Sequence, residues 1–248
     1  MSNGGGAETP VPRPDYILTE TVRRNLKDVA RIVGLCEYPI LIQGETSVGK
    51  TSLISYLAEV SGNHVVRINN HEHTDVQEYI GSYSADESGS FRSVLLRNLS
   101  HQICVKFDLF FRFNEGVLAQ AMRHGHWIIL DELNLANTEI LEALNRVLDD
   151  NRELFIPENQ VCIRAHKSFR LFATQNPAGA TYGGRKTLSR AFRNRFVELH
   201  FDELCTSELE TIIEKKCAVP RKMAKKMIRV LRELQLKRRA SAAFQGYY

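Results

Sequence analysis

Five short apolar runs punctuate the first four-fifths of the chain: "PILIQ" (39–43), "HVVRIN" (64–69), "HWIIL" (126–130), "SFRLFAT" (168–174) and "FVELHF" (196–201). Each has strand length and is rich in β-branched or aromatic residues, which predicts five strands. Helical patterns lie between them. "TETVRRNLKDVARIVGL" carries Val22, Leu26, Val29, Ile32 and Val33 on one stripe, opens on a threonine and meets a stop at Gly34. "NTEILEALNRVLDD" puts Ile140, Leu141, Leu144, Val147 and Leu148 on one face, so this helix is expected to pack on the sheet. Strand and helix alternating in this way predict an α/β sandwich around a mostly parallel sheet. From about Cys205 the pattern is purely helical. Trp127, the only tryptophan, is expected in the core.

These patterns divide the chain into a Gly- and Pro-rich lead (1–15) that reads as disordered, an α/β core (16–204) and a helical end (205–248). With 248 residues, 43% of them hydrophobic, the chain can bury a substantial core. No apolar run reaches the ~18 residues of a membrane span, and "MSNGGGAETPVPRP" lacks the features of a signal peptide, so an intracellular chain without membrane contact is expected. Cys36, Cys104, Cys162, Cys205 and Cys217 form no CxxC pair, which argues against a disulfide framework or a zinc site. The net charge of +4 is uneven: Lys215 to Arg239 holds eleven Lys/Arg against Glu233 alone, a local +10 that leaves −6 for the rest.

The most informative stretch is "QGETSVGKTSL", Gln43 to Leu53, where a strand ends and a helix begins. Gly44-x-x-x-x-Gly49-Lys50-Thr51 matches the phosphate-binding loop pattern letter for letter. Glycines let the backbone curl close to a polyphosphate, and successive N–H groups and the positive end of the following helix face its charge. Gly44, Glu45, Thr46, Ser47, Val48, Gly49, Lys50, Thr51 and Ser52 are therefore the candidate nucleotide cradle, with Lys50 on the outer phosphates and Thr51 on a magnesium ion. "WIILDE" ends a strand in two acids. Asp131 is placed to serve the magnesium shell, and Glu132 to orient and deprotonate an attacking water. The second acid favours hydrolysis over transfer to another acceptor. No Asn-Lys-x-Asp string marks a guanine site, so ATP is the expected nucleotide, with Mg2+. "FATQNP" places Gln175 and Asn176 at a strand end, where an amide can touch the γ-phosphate or the water. "LSRAFRNRF" places Arg190, Arg193 and Arg195 before the last strand, either as a solvated basic loop or as donors to transition-state charge.

On these residues the chain resembles the AAA+ ATPases. The likeness narrows to the midasin family through "ILIQGETSVGKTSL", "RINNHEHTDVQEYIG", "WIILDELNLANTEILEALNRVLDDNRELFIPE" and "FRLFATQNPAGATYGGRKTLSRAFRNRFVELHF". The resemblance implies a P-loop NTPase fold, a three-layer αβα sandwich with a mostly parallel five-stranded sheet, followed by a partial C-terminal helical lid. It implies that Gly44, Gly49, Lys50 and Thr51 form the Walker A loop, Asp131 and Glu132 the Walker B pair, and Asn176 sensor 1. Arg195, and after it Arg193, would be the arginine finger that acts on the neighbouring module's nucleotide. It further implies neighbouring AAA+ modules in a hexameric ring, a nuclear location (nucleolus and nucleoplasm), and ATP-driven release of assembly factors from pre-60S ribosomal particles. The chain departs from the family by an insertion at about 91–112 and by ending before a lid is complete, so no sensor-2 arginine is assigned. Two other readings stay open: a nucleotide-binding structural module without turnover, and a stand-alone MoxR-like chaperone ATPase.

His71, His73 and Asp75 invite a metal, but no third histidine or cysteine has suitable spacing, and a loop after the second strand is the better reading. "PRKMAKKMIRVLRELQLKRRA" carries an apolar stripe of Met223, Met227, Val230, Leu231 and Leu234 among basic residues; a lid helix with a solvated basic face is favoured over RNA contact. "NPAGATYGGRK" (176–186) reads as a glycine-rich loop between the sensor strand and the finger segment.

Overall fold

The computed structural model describes residues 16–35, 38–85, 111–177 and 187–245. The N-terminal lead, most of the 91–112 insertion and most of the 176–186 loop lie outside the described residues.

The chain opens with α1 (Glu20–Leu35), β1 (Ile40–Gly44), α2 (Lys50–Val60) and β2 (Val65–Asn69). Next come α3 (Val76–Ile80), β3 (Gly81–Ala85), β4 (Phe111–Glu115), α4 (Val117–His124) and β5 (Trp127–Asp131). The second half holds α5 (Thr138–Leu148), β6 (Glu153–Ile156), β7 (Val161–Arg164), β8 (Arg170–Gln175), α6 (Arg190–Arg193) and β9 (Val197–Phe201). Two helices, α7 (Thr206–Cys217) and α8 (Arg221–Gln245), end the chain.

The five strands expected from the sequence form one sheet in the order β2-β5-β8-β1-β9, and every pairing in it is parallel. Parallel neighbours require crossovers, and the helices that make them cover both faces. The period-two alternation of side chains sorts the strands into two cores. Leu41, Ile128, Leu130, Leu171 and Ala173 point to the face covered by α3, α4 and α5. Ile40, Ile42, Trp127, Ile129 and Phe172 point to the opposite face, against α1 and α2. A fully buried aliphatic side chain contributes about 1.5–3 kcal/mol, so these two layers hold the strand ends in place. On α5 the predicted stripe is buried at Ile140, Leu144, Val147 and Leu148, with Leu141 half-buried at its margin. The helix starts where Asn137 Oδ1 accepts from the Ile140 amide at 2.9 Å.

Two antiparallel pairs were not expected. β6 and β7 make a hairpin whose alternate residues Leu154, Ile156 and Ile163 are buried while Phe155 and Val161 face out. Its arms of four residues, ELFI and VCIR, are too short to stand out in the sequence. The other pair, β3 with β4, brings together the two sides of the insertion, from Gly81 opposite Glu115 to Ala85 opposite Phe111. The last residues of the inserted stretch are therefore a strand.

The basic helix differs from its sequence reading in which residues it buries. Among the described side chains of α8, Ala224 and Ile228 are buried, whereas the stripe of Met223, Met227, Val230, Leu231 and Leu234 is exposed. The helix packs mainly on α7, with Arg232 also reaching Glu203 and the Leu204 carbonyl, and a narrow neighbour covers few rows of side chains. Among the described residues no helix is long and apolar enough to cross a membrane.

Candidate functional site

The glycine-rich loop runs from the end of β1 into α2, as the sequence predicts. Gly49 caps α2 with φ +91°, and Ser47 also has positive φ, at 67°, so the loop turns back on itself twice. Gly44 is required for another reason. A Cβ there would lie 2.6 Å from the carbonyl oxygen of Phe201 on β9, so close packing of the neighbouring strand excludes any side chain.

Lys50, first residue of α2, is 7% exposed. Its ammonium donates to the carbonyl oxygens of Gly44 and Glu45 and to Asn176 Oδ1, each at 2.8 Å. This folds the lysine over its own loop and ties it to the end of β8. Asn176 in turn donates from Nδ2 to Glu132 Oε1 at 3.3 Å. Lys50, Asn176 and Glu132 thus form one hydrogen-bonded chain across three elements.

Asp131 lies at the end of β5, which β8 separates from β1. The carboxylate nevertheless reaches the loop: Thr51 Oγ1 lies 3.0 Å from each of its oxygens. Thr174 Oγ1 donates to Oδ1, and the Arg67 guanidinium pairs with Oδ2. The Asp131 carbonyl oxygen accepts from the Asn70 amide at 3.0 Å and from Asn70 Nδ2 at 2.9 Å, while Tyr79 OH donates to Asn70 Oδ1 at 2.6 Å. Burial pushes the Tyr79 phenol well above its ordinary range, so it stays a donor. Glu132 has φ +51°, a left-handed conformation that is costly for a side chain with a Cβ, by about 1 kcal/mol. Its amide donates to Thr174 Oγ1 at 3.2 Å. This turn is what sends the second acid toward Asn176 rather than along the strand.

A cleft of about 990 Å³ joins these residues: Lys50, Thr51, Asp131, Glu132, Thr174 and Asn176 line it. Tyr16, Tyr56, Leu209 and Ile212 line it as well. Tyr16 stacks on Tyr56 with ring centroids 4.3 Å apart and planes 14° off parallel. Burial pushes the Tyr16 phenol up to about 12, against a hydrogen bond with Ser52 that lowers it. The lining presents an ammonium, a hydroxyl beside a carboxylate, and a helix N-terminus, together with apolar and aromatic side chains. These donors fit the phosphates of a nucleotide and its magnesium ion, and the space fits the nucleoside.

The sequence-predicted residues divide into two groups. Gly44, Gly49, Lys50, Thr51, Asp131, Glu132 and Asn176 come together. Glu45 supplies a carbonyl to Lys50, and Thr46, Ser47, Val48 and Ser52 line the cleft with it. Gln175 turns instead to Gln43, Nε2 to Oε1 at 3.1 Å. The arginines lie elsewhere: the cleft lining includes neither Arg193 nor Arg195. Arg195 Nε donates to Asp149 Oδ1 at 2.7 Å and its guanidinium also donates to Asn145 Oδ1, both near the end of α5. Arg193 pairs with Glu198 at 3.4 Å. Arg190 is exposed. In the loop after β2, His73 donates its amide to His71 Nδ1 at 3.2 Å and Asp75 caps α3. Sequence reading missed Arg67, Asn70, Thr174 and the Tyr16–Tyr56 stack. Arg67 had left a signal, a cation inside the otherwise apolar "VVRIN".

Comparison with known proteins agrees with this geometry. The AAA domain family (dynein-related subfamily) matches residues 39–196. Midasin of Dictyostelium discoideum is 51% identical over 236 residues, 95% of this chain and 4% of that protein. Midasin of Giardia intestinalis is 47% identical over 199 residues, 80% of this chain and again 4% of that protein. The chain therefore spans only a small part of the length of these relatives. In fold it matches the crystal structure of a putative ATPase from Cytophaga hutchinsonii, with a TM-score of 0.54 and 18% identity over 79% of this chain and 52% of that one. The chain belongs to the dynein-related subfamily of AAA domains, has the αβα P-loop fold of the AAA+ ATPases, and is similar over nearly its whole length to a single stretch of midasin.

Proposed function

We propose that this chain is a module that binds Mg-ATP in the cleft between α2 and the ends of β5 and β8 and hydrolyses it. The observation that carries the reading is the hydrogen-bonded set in the cleft, with Lys50 joined through Asn176 to Glu132 and Thr51 joined to Asp131. In this arrangement Lys50 and the loop hold the phosphates. Thr51 and Asp131 hold the metal, which when bound neutralises charge on the phosphate oxygens. Glu132 is the proton acceptor for water. Asn176, bonded to both Lys50 and Glu132, fixes the acid relative to the terminal phosphate. A carboxylate that takes a proton in the rate-limiting step typically supplies 10²–10⁴-fold.

The test is Glu132→Gln. It keeps the shape and the contact with Asn176 but cannot accept the proton. We expect ATP binding within a few-fold of the parent and phosphate release reduced about 100-fold or more, measured by equilibrium fluorescence and a phosphate sensor. Equal turnover in the two proteins would reject Glu132 as the base.

A second reading, a nucleotide-binding module without turnover on its own, is favoured by the position of Arg195. It is held by Asp149 and Asn145 and lies away from the cleft of its own chain. Turnover would then need an arginine from a neighbouring module, as in a hexameric ring. In the larger setting suggested by the midasin likeness, the cycle would move adjacent modules and release assembly factors from nuclear pre-60S particles. The basic surface of α8 makes indirect contact with RNA compatible with that setting.

A further inference from the structure

Arg67 is a cation inside the cleft that the catalytic scheme above leaves without a task. The Asp131 side chain is 8% exposed and that of Arg67 is 55% exposed. Around the carboxylate, Oδ1 accepts from Thr51 and Thr174, and Oδ2 accepts from Thr51 and from Arg67. A carboxylate offers about four lone-pair sites; the single hydroxyl hydrogen of Thr51, shared between the two oxygens, the hydroxyl of Thr174 and an N–H of Arg67 take up most of them. Two of the three partners are fixed by the fold. Thr174 is 1% exposed within β8, and Thr51 is in the first turn of α2. Arg67 differs, because its long side chain reaches from β2 along the wall of the cleft with more than half its surface in solvent.

A nearly buried carboxylate without a cation is unfavourable, and the guanidinium meets that need. A magnesium ion meets the same need. It usually keeps several waters, and their hydrogens must be accepted by the carboxylate of the site. Those waters and the guanidinium compete for Oδ2. We propose that Arg67 is the counter-ion of Asp131 in the nucleotide-free cleft and is displaced from Oδ2 when the magnesium-nucleotide enters, so that Arg67 sets the magnesium concentration at which the site loads. The inference rests on the nucleotide reading above and makes Arg67 a positioning residue, acting through Asp131. The exchange keeps a positive charge beside Asp131 in both states. It also makes metal without nucleotide a poor ligand, since it would have to evict the arginine without help from phosphate oxygens.

The test is a magnesium titration of the 248-residue chain at fixed concentration of a fluorescent ADP analogue, for the parent, Arg67→Gln and Arg67→Lys. Arg67→Gln is expected to load at about tenfold lower magnesium, the scale of removing one competing full charge from a partly solvated site. Arg67→Lys is expected to shift the same way by less, since a flexible ammonium lacks the planar fork, and it carries the test if Arg67→Gln does not fold. A second readout needs no nucleotide. Mn2+ binding followed by electron paramagnetic resonance should be tighter in Arg67→Gln than in the parent. A parent that loads normally beside variants with an unchanged or higher magnesium midpoint, or with equal Mn2+ affinity, overturns the inference and leaves the nucleotide reading intact. No uptake of the analogue by the parent at any magnesium concentration overturns both.

Discussion

At Lys50 one side chain ties the loop together. Its ammonium is held by two carbonyl oxygens and by Asn176, so the loop is already curled around the position where an anion would sit. Lys50→Ala removes the charge and leaves the Gly44 and Glu45 carbonyls without that donor. Nucleotide affinity should fall by about 100-fold, near the upper end for one charge-assisted contact. Lys50→Arg keeps the charge but brings a planar fork into a space that is 7% exposed, and it should bind nearly as poorly. Calorimetric titration with ADP and magnesium checks both; parent-like affinity in Lys50→Ala would remove the lysine from the binding site. The same scale shows why some of the site was readable in the sequence and some was not. Lys50 and Thr51 stand at a fixed spacing after Gly44 at the start of α2, and Asp131 and Glu132 at the end of β5, because backbone geometry near a phosphate and a metal demands them there. Arg67, Asn70 and Thr174 reach the site from β2 and β8 or just beyond them, and their meeting at Asp131 depends on the strand order, which the one-dimensional pattern does not contain. Arg195 has the right residue type for a transition-state donor. Its partners Asp149 and Asn145 come from a helix that the sequence reading treated as a packing element only.

At the scale of elements, the five strands were legible because each carries an apolar run, buried along its whole length in β5 and for most of it in β1 and β8. The hairpin of β6 and β7 and the pair of β3 and β4 were not, because each has exposed positions such as Phe155, Val161 and Tyr83, and the arms of the hairpin have only four residues. A different long-range link joins the first helix to the last ones. Glu208, in the first turn of α7, accepts from the Thr21 amide at the start of α1 at 2.7 Å, and its second oxygen accepts from Cys205. Partial burial alone would raise the pKa of this carboxyl, but hydrogen bonds from the Thr21 amide, Thr19, the Thr21 side chain and Cys205 outweigh it and bring the pKa from 4.5 to about 2. Since the folded value is the lower one, the stabilisation is complete above 4.5 and is lost as the pH falls from there toward 2. Thermal unfolding from pH 7 down to pH 3 should therefore show a midpoint that declines below about pH 4.5 in the parent and declines less steeply in Glu208→Gln. Parallel profiles would mean that the α1–α7 clasp carries no charge-dependent stability.

For the whole molecule, the decisive geometry is the distance between what the cleft holds and what it lacks. Lys50, Asp131, Glu132 and Asn176 stand together, whereas Arg193 and Arg195 line no part of the cleft. On the proposed reading, a second chain or a second module brings Arg195 or Arg193 to the transition state. The ion pair that holds Arg195 is no obstacle: its side chains are 33% and 45% exposed, and contacts of that kind are worth little in water. Replacing Arg195 by Ala should thus change stability by less than about 1 kcal/mol while reducing hydrolysis in an assembly. The two roles can be separated by mixing. Lys50→Ala has a disabled cleft but an intact Arg195, and Arg195→Ala has an intact cleft but no donor. Each alone should release phosphate far more slowly than the parent. Combined at concentrations where light scattering shows association, they should recover part of the parent rate, because some clefts of the Arg195→Ala chain will face an Arg195 from its neighbour. If the mixture is no faster than the sum of its parts while the parent hydrolyses ATP under the same conditions, Arg195 does not act between chains, and its contacts with Asp149 and Asn145 are then its structural role.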